Sequence, residues 1–131
     1  MSRTAVPQKI PRKRILVVDD EPQVATTIKM VLSLSGHTVE IVDDAEKALA
    51  VFEIGKYDLI VTDQSLGKMT GLQLAHAIKE RSAAQPIILV TAYAESMAME
   101  KDGLADVDHL MGKPFSLDEL QAALEAIFPA P

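Results

Sequence analysis

The stretch Ile15-Leu16-Val17-Val18-Asp19-Asp20 decides the fold of this chain. Four consecutive apolar residues are typical of a strand that is buried on both faces of a parallel sheet. Two aspartates follow, so their carboxylates lie where the strand leaves the core. Adjacent carboxylates repel each other and resist desolvation unless a cation offsets their charge. A hard divalent cation beside Asp19 and Asp20 is therefore the interpretation that we favour.

The composition predicts one domain. The chain has 131 residues, of which 48% are hydrophobic and 24% are charged. This length allows a sizeable core and is too short for two ordinary domains. No apolar run approaches the roughly 20 residues that span a bilayer, and the first residues lack the apolar segment of a secretion signal. We expect a cytoplasmic protein without membrane insertion.

The residue content argues against several kinds of site. The chain has no cysteine, which excludes disulfides, thiolate chemistry and cysteine-based zinc sites. The net charge is −6, yet the first fourteen residues carry five basic residues and no acid. Because Pro7 and Pro11 interrupt this basic segment, we interpret residues 1–13 as a disordered leader. We do not expect direct nucleic-acid binding by the protein.

Short apolar runs alternate with helical stretches beyond the leader, which predicts an α/β fold with a parallel sheet. Pro22 suits the first position of a helix, Gly71 leads into a later one, and Ser116 with Glu119 has the spacing of a capping box. A fourth helix is predicted over about residues 95–101. The domain is expected to span residues 14–128, followed by a short tail over 129–131. The predicted strands are residues 14–19, 38–42, 58–62, 86–91 and 109–112.

Polar side chains follow four of the five predicted strands. They are Asp19 and Asp20 at the end of the first, Asp63 after the third, Thr91 at the end of the fourth and Lys113 after the fifth. Each alone would be an ordinary cap, strand or surface residue. In an open α/β sheet, however, ligands bind outside the carboxyl ends of the strands. We therefore expect these side chains to converge on one site.

Three carboxylates, a hydroxyl and an ammonium suit phosphoryl transfer. Carboxylates can bind Mg²⁺, which needs few of them, keeps waters and accepts phosphate oxygens. One carboxylate oxygen can act as the nucleophile, while the hydroxyl and the ammonium bind the transferred group. Without a metal, the clustered carboxylates would repel an anionic donor. The residues therefore predict a Mg²⁺-dependent phosphoryl-transfer site.

Four motifs occur in order along the chain. They are Leu16-Val17-Val18-Asp19-Asp20-Glu21, Asp58-Leu59-Ile60-Val61-Thr62-Asp63, Ile88-Leu89-Val90-Thr91-Ala92 and Lys113-Pro114-Phe115. In their order and spacing they resemble the receiver domain of two-component response regulators, and the resemblance covers about residues 14–128. It implies a flavodoxin-like, doubly wound fold: a five-stranded parallel sheet in the order 2-1-3-4-5 with helices on both faces.

The resemblance also implies a phosphoryl acceptor and its metal ligands. Asp63 would accept a phosphoryl group from a histidine kinase or a histidine phosphotransfer protein. Asp19, Asp20, Asp63 and the backbone carbonyl of Ser65 would hold Mg²⁺. Within this set we expect Asp20 to bind directly and Asp19 to bind through water.

Two further residues would respond to phosphorylation. The resemblance implies that Lys113 pairs with the phosphoryl oxygens and that Thr91 moves inward to hydrogen-bond the phosphorylated state. The Lys113-Pro114 peptide bond is expected to be cis. Phosphorylation would then shift the face formed by the fourth helix, fifth strand and fifth helix toward a downstream protein target.

Several positions depart from the family's pattern. Gly67 replaces the usual proline after the acceptor, which increases backbone freedom. Leu110 replaces an aromatic residue whose rotation accompanies the threonine movement, and Tyr93 is either a substitute gate or part of a partner-binding surface. Asp106 stands where glycine is common. These departures bear on how the signal spreads and leave the acceptor chemistry intact.

Three other functions compete with that of a stand-alone signalling switch. If the natural chain is longer, this sequence is a receiver module of a larger regulator or hybrid kinase. A Mg²⁺-dependent phosphohydrolase would want a general acid two residues after its nucleophile, where Ser65 stands, and a cap for its substrate. A degenerate receiver would have lost one of the site residues, and all are present. We expect a switch rather than an enzyme acting on external substrates.

Overall fold

A computed structural model describes residues 10–99 and 104–129. The sheet has five parallel strands in the order β2-β1-β3-β4-β5, which confirms the predicted fold class. The strands are β1 Arg14–Val18, β2 Thr38–Val42, β3 Leu59–Asp63, β4 Ile87–Thr91 and β5 His109–Gly112. The helices are α1 Pro22–Leu34, α2 Ala45–Val51, α3 Gly71–Arg81, α4 Ala94–Met99 and α5 Leu117–Ile127.

The element boundaries differ from the prediction by about one residue. Strand β1 ends at Val18 instead of residue 19, and β3 is displaced by one so that Asp63 is its last residue. Helix α4 begins at Ala94, one residue before the predicted start. Its predicted end at residue 101 lies outside the described residues, as do residues 1–9 of the leader and the last two residues of the tail.

Strand β1 lies inside the sheet, between β2 and β3, and this position explains why its sequence is apolar throughout. Ile15 and Val17 belong to a core cluster with α1 and α5, whereas Leu16 and Val18 belong to a second cluster with α2 and α3. All four side chains are at most 1% exposed. Successive residues of a strand point to opposite faces, so a strand covered on both sides has no polar face.

The register brings the ends of the strands to one edge. Val18 of β1 aligns with Thr62 of β3, Asp63 aligns with Val90 of β4, and the β4–β5 ladder pairs Thr91 with Gly112. The chain passes from β1 to β2 on one side of β1, and then from β2 to β3 on the other side of β1. Strand order therefore reverses at β1, and the crevice beside its carboxyl end is where a ligand is expected.

Side-chain caps fix where three helices begin. The Asp44 carboxylate accepts a hydrogen bond from the backbone of Lys47 at the start of α2. The predicted capping box at Ser116 is confirmed at the start of α5. A second capping box, formed by Thr70 and Gln73, starts α3. The sequence-based prediction places the start of this helix by Gly71 and does not include the box. The threonine-to-glutamine spacing was visible in the sequence.

Residues 10–13, which the sequence placed in the leader, pack against the domain. Ile10 is buried in the cluster with α1 and α5. The Arg12 side chain donates to the carbonyl of Gly36, and the Lys13 ammonium lies 4.5 Å from the centroid of the Phe128 ring. The ordered body thus begins before β1. Within the described residues, no helix is long and apolar enough to cross a membrane.

Candidate functional site

The predicted polar residues meet at the carboxyl edge of the sheet. Asp19 and Asp63 are 3% and 5% exposed, and Thr91 is also buried. Asp20 is exposed beside them, and Lys113 approaches from the loop after β5. Because β1, β3, β4 and β5 are adjacent and parallel, residues far apart in sequence reach the same crevice.

Lys113 is the cation of this cluster. Its Nζ lies 3.0 Å from Asp63 Oδ1, 3.1 Å from Glu21 Oε1 and 3.9 Å from Asp19 Oδ2. The lysine side chain is 19% exposed, so its contacts with the buried Asp63 and Asp19 are shielded from bulk water, whereas Glu21 is 60% exposed. The backbone positions the lysine, since its N–H donates to the carbonyl of Thr91. The Lys113-Pro114 peptide bond is cis, as predicted.

Four acidic side chains surround the cation. Asp19, Asp20, Glu21 and Asp63 each offer a carboxylate oxygen, and these oxygens lie within 4.8 Å of one another. Sequence reasoning quoted Glu21 in a motif but gave it no role. The signal was present, because a third acid directly after the pair shares the same turn. An all-oxygen donor set with excess negative charge suits Mg²⁺.

Asp19 is held in place by the backbone. The N–H of Glu21 donates to Asp19 Oδ1 at 2.8 Å, and the N–H of Asp19 donates to the carbonyl of Val42. Burial raises the pKa of the Asp19 carboxyl. The hydrogen bond from Glu21 and the charge of Lys113 oppose that shift without cancelling it. The folded protein therefore carries a buried carboxylate whose charge is incompletely compensated, as a cation-binding site requires.

The opposite balance holds for Lys113. Burial on its own would lower the pKa of this ammonium, but hydrogen bonds to Asp63 and Glu21 and the charges of Asp19 and Asp63 outweigh burial and raise it. The lysine therefore remains charged at neutral pH. It provides a permanent positive charge next to the acceptor predicted from the sequence.

The loop after β3 is anchored on both sides. Gln64 donates from its backbone to the carbonyl of Val90, and its side-chain oxygen accepts from the backbone of Leu72 in α3. Gly71 packs so closely that a Cβ atom there would collide with the carbonyl oxygen of Asp63. Ser65 is exposed in this loop. Gly67 adopts a φ of +88°, a conformation that glycine takes readily and proline cannot.

Thr91 and Tyr93 are linked through the backbone. The Thr91 hydroxyl accepts a hydrogen bond from the N–H of Tyr93 at 3.1 Å. The Tyr93 side chain is 70% exposed, so its ring lies on the surface next to α4. Leu110 sits in β5 opposite Leu89 of β4. The Tyr93 side chain is therefore accessible from solvent.

Asp106 has a partner on α3. Its Oδ2 lies 3.0 Å from His76 Nδ1, and Glu80 lies 3.8 Å from the other ring nitrogen. Two residues on, the Asp108 carboxylate pairs with Lys79 at 2.8 Å. The acid at position 106 therefore helps to tie α3 to the segment before β5.

A cavity of about 560 Å³ opens beside the cluster. Glu21 and Lys113 are the charged residues of its wall, and Val24, Pro114 and Phe115 contribute apolar surface. The cavity joins the N-terminal part of α1 to the loop before α5. An approaching molecule could contact this wall and the lysine at the same time.

The family model for the response regulator receiver domain matches residues 15–125. The chain belongs to this family. Receiver domains of two-component response regulators are signalling switches that work with histidine kinases and downstream effectors. The matched segment contains all the residues that form the cluster.

Curated relatives support this assignment and are longer than the receiver domain itself. The chain is 36% identical over 115 residues to the alkaline phosphatase synthesis transcriptional regulatory protein PhoP of Bacillus subtilis. This alignment covers 88% of this chain and 48% of PhoP. It is 34% identical over 114 residues to the transcriptional regulatory protein TrcR of Mycobacterium tuberculosis, with 87% and 44% covered. The chain spans about half the length of the curated relatives it matches.

Solved receiver domains have the same fold. The non-phosphorylated HemR receiver domain from Leptospira biflexa superposes with a TM-score of 0.81 at 26% identity, covering 92% of this chain and 97% of that one. The response regulator TrrA from Thermotoga maritima, solved in complex with Mg²⁺ and BeF, gives a TM-score of 0.79 at 34% identity. That alignment covers 88% of this chain and 98% of TrrA.

Proposed function

We propose that this receiver domain is phosphorylated on Asp63 with the help of Mg²⁺. The observation that carries the proposal is the contact of 3.0 Å between Lys113 Nζ and Asp63 Oδ1, within a group of four acids. Asp63 ends the central strand β3 and is 5% exposed, so its carboxylate is fixed in the crevice. A fixed nucleophile next to a permanent cation suits attack on an anionic phosphoryl group.

The proposed transfer is a displacement at phosphorus. A carboxylate oxygen of Asp63 attacks the phosphorus of a phosphohistidine on a histidine kinase or phosphotransfer protein. The new O–P bond forms as the P–N bond breaks, and the imidazole nitrogen leaves with the electron pair of that bond. The product is an acyl phosphate on Asp63. Lys113 then pairs with the phosphoryl oxygens, and the Thr91 hydroxyl donates a hydrogen bond to them.

The acid cluster fits Mg²⁺ by its chemistry. Asp19, Asp20 and Asp63 would hold the ion, together with the backbone carbonyl of Ser65, which follows Asp63 in the anchored loop. Raised pKa at Asp19 supports this assignment, because a buried carboxylate gains from a nearby cation. When bound, Mg²⁺ supplies positive charge that offsets the repulsion between the carboxylates and the incoming phosphoryl group.

The output of the switch is proposed to be a change in partner binding. Thr91 and Lys113, the two residues that would contact the phosphoryl group, adjoin the face made by α4, β5 and α5: Thr91 precedes α4, and Lys113 lies between β5 and α5. Tyr93 and Met99 expose 70% and 85% of their surface there. Movement of Thr91 would disturb its hydrogen bond with the backbone of Tyr93 and so reach this face.

A second reading concerns the context of the domain. The curated relatives are about twice as long as this chain, which favours a receiver module that controls an attached output region. A stand-alone receiver would instead act on a separate protein.

The residue two positions after Asp63 bears on the phosphohydrolase alternative. Ser65 offers an exposed hydroxyl and no acid, so the general acid expected of a phosphohydrolase has no counterpart at that position.

Incubation with acetyl phosphate and Mg²⁺, followed by intact mass measurement, tests the proposal. We expect the wild-type protein to gain the mass of one phosphoryl group and Asp63→Asn to gain none. Glu125→Gln, an exposed change on α5, should behave like the wild type. Absence of added mass in the wild type across a range of donor and metal concentrations would refute phosphoryl acceptance.

A further inference from the structure

Glu21 makes a contact that the proposed function does not use. Its Oε1 lies 3.1 Å from Lys113 Nζ, almost as close as the acceptor Asp63 at 3.0 Å. Glu21 is also the N-cap residue of α1, yet its side chain makes no capping hydrogen bond. Glutamate is not among the preferred N-cap residues. The local structure of α1 therefore gives no reason for this side chain to be there.

The lysine has a limited number of donors. An ammonium offers three N–H groups, and here carboxylates of Asp63 and Glu21 accept at hydrogen-bond distance, while Asp19 faces the ammonium at 3.9 Å. Two of the three N–H groups are therefore engaged in the unphosphorylated protein. These two ion pairs hold the ammonium in place, so a shift of Lys113 toward a phosphoryl oxygen weakens at least one of them.

The burial of the three acids indicates which contact yields. Asp63 is the acceptor itself, and Asp19 is 3% exposed and fixed by the backbone of Glu21. The Glu21 side chain is 60% exposed and borders the cavity beside the cluster. Of the three, only this carboxylate can move into water at little desolvation cost.

We propose that Glu21 is a positioning residue that holds Lys113 back in the unphosphorylated protein and slows phosphoryl acceptance. The ion pair between Glu21 and Lys113 competes with the pair between Lys113 and the incoming phosphoryl group. This inference rests on the proposed function of Asp63. Glu21 then affects the rate at which Asp63 is phosphorylated, while Asp63 remains the acceptor.

Two substitutions distinguish the effect of the length of the Glu21 side chain from the effect of its charge. Glu21→Gln keeps the length of the side chain and removes its charge, whereas Glu21→Asp keeps the charge and is one methylene shorter. Aspartate is also a good N-cap, so its carboxylate can turn toward the α1 backbone and away from the lysine. Glu125→Gln makes the same change in net charge as Glu21→Gln, on an exposed position of α5.

Phosphorylation rates with acetyl phosphate at saturating Mg²⁺ give the first readout. The Asp63 oxygen forms the O–P bond, and acetate leaves with the electron pair of its bond to phosphorus. We expect both Glu21 variants to react about two- to fivefold faster than wild type, because a partly exposed ion pair is a modest competitor. The rate of Glu125→Gln should be unchanged.

Three outcomes for the Glu21 variants would overturn the inference. They are unchanged rates in both variants, slower reaction of Glu21→Gln, and acceleration of Glu21→Gln alone. The last would assign the effect to charge repulsion rather than to the pair. Acceleration of Glu125→Gln to the same degree would do so as well.

The NMR signals of the Lys113 Nζ and Cε atoms in metal-free protein give a second readout. Both Glu21 variants should shift these signals, and Glu125→Gln should not; signals that stay in place in both Glu21 variants overturn the pair. A wild-type protein that accepts no phosphoryl group refutes the proposed function and this inference together. A wild type that accepts it, with variants indistinguishable from it, refutes the inference alone.

Discussion

Lys113 and Asp63 lie 3.0 Å apart although Asp63 ends β3 and Lys113 follows β5, with β4 between the two strands. The contact spans the crevice above the end of β4. It joins the permanent cation of the site to its most central carboxylate. Loss of the cation would leave buried carboxylates facing one another.

Replacement of the lysine should therefore destabilise the fold. In Lys113→Met, Asp63 and Asp19 keep their burial and lose their nearest cation, so we expect the free energy of unfolding in metal-free buffer to fall by about 1–3 kcal/mol. Urea denaturation measures this change. Lys29→Met, which removes an exposed lysine from α1, should cost below about 0.5 kcal/mol. Equal losses in the two variants would contradict the role of Lys113 as counter-charge.

Gly71 should not tolerate a side chain. The Cβ atom of Gly71→Ala would meet the Asp63 carbonyl oxygen, Leu89 Cδ1 at 2.6 Å and the Gln64 Cα at 3.0 Å. Overpacking against backbone costs about 1–3 kcal/mol, and we expect a loss in that range by urea denaturation. Gly112→Ala is the matched control, because the nearest atom to its Cβ is Ala94 Cβ at 3.5 Å. A smaller loss for Gly71→Ala than for Gly112→Ala would contradict this packing.

His37 should make stability depend on pH. Burial, and next the charge of Lys13, hold the pKa of His37 below its ordinary value of 6.5, and its Nδ1 accepts a hydrogen bond from the Lys13 backbone. The unfolded chain therefore binds a proton more readily than the folded one. The contribution of His37 to stability is complete above pH 6.5 and declines as the pH falls below it.

Urea denaturation at pH 7.5 and pH 5.5 measures this effect. His37→Asn supplies an amide oxygen for the same hydrogen bond and does not titrate, so it should lose less stability between the two pH values than wild type. If both proteins lose the same amount, His37 is not the source of the dependence.

Two neighbouring acids should differ in importance. Asp108 Oδ2 accepts from Lys79 and, at 2.8 Å, from the backbone N–H of Ile87, a fully buried residue. Asp108→Ala leaves that N–H without its side-chain partner and should cost about 1–2 kcal/mol. Asp106→Ala removes a surface contact with His76 and should cost below about 1 kcal/mol. Thermal or urea unfolding would decide, and the reverse ranking would contradict it.

Much of the architecture was accessible from local sequence. The uninterrupted apolar run of β1, Pro22 at the start of α1 and the capping box at Ser116 are consequences of burial and backbone geometry within a few residues. They predict the α/β class and the element order without tertiary contacts. The ordered motifs then indicated the family and the residues Asp19, Asp20, Asp63, Thr91 and Lys113.

Other features depended on groups that are distant in sequence. The packing of Ile10, the partners of Asp106 and His37, and the sharing of Lys113 between Asp63 and Glu21 arise only when separate elements are brought together. Periodicity and capping report on neighbours along the chain, whereas ion pairing and desolvation depend on distances across the fold. The sequence by itself determined which acids and which cation are present at the ends of the strands. The tertiary structure alone decided that Lys113 is already paired with Glu21, because strand order and register set the distance between them.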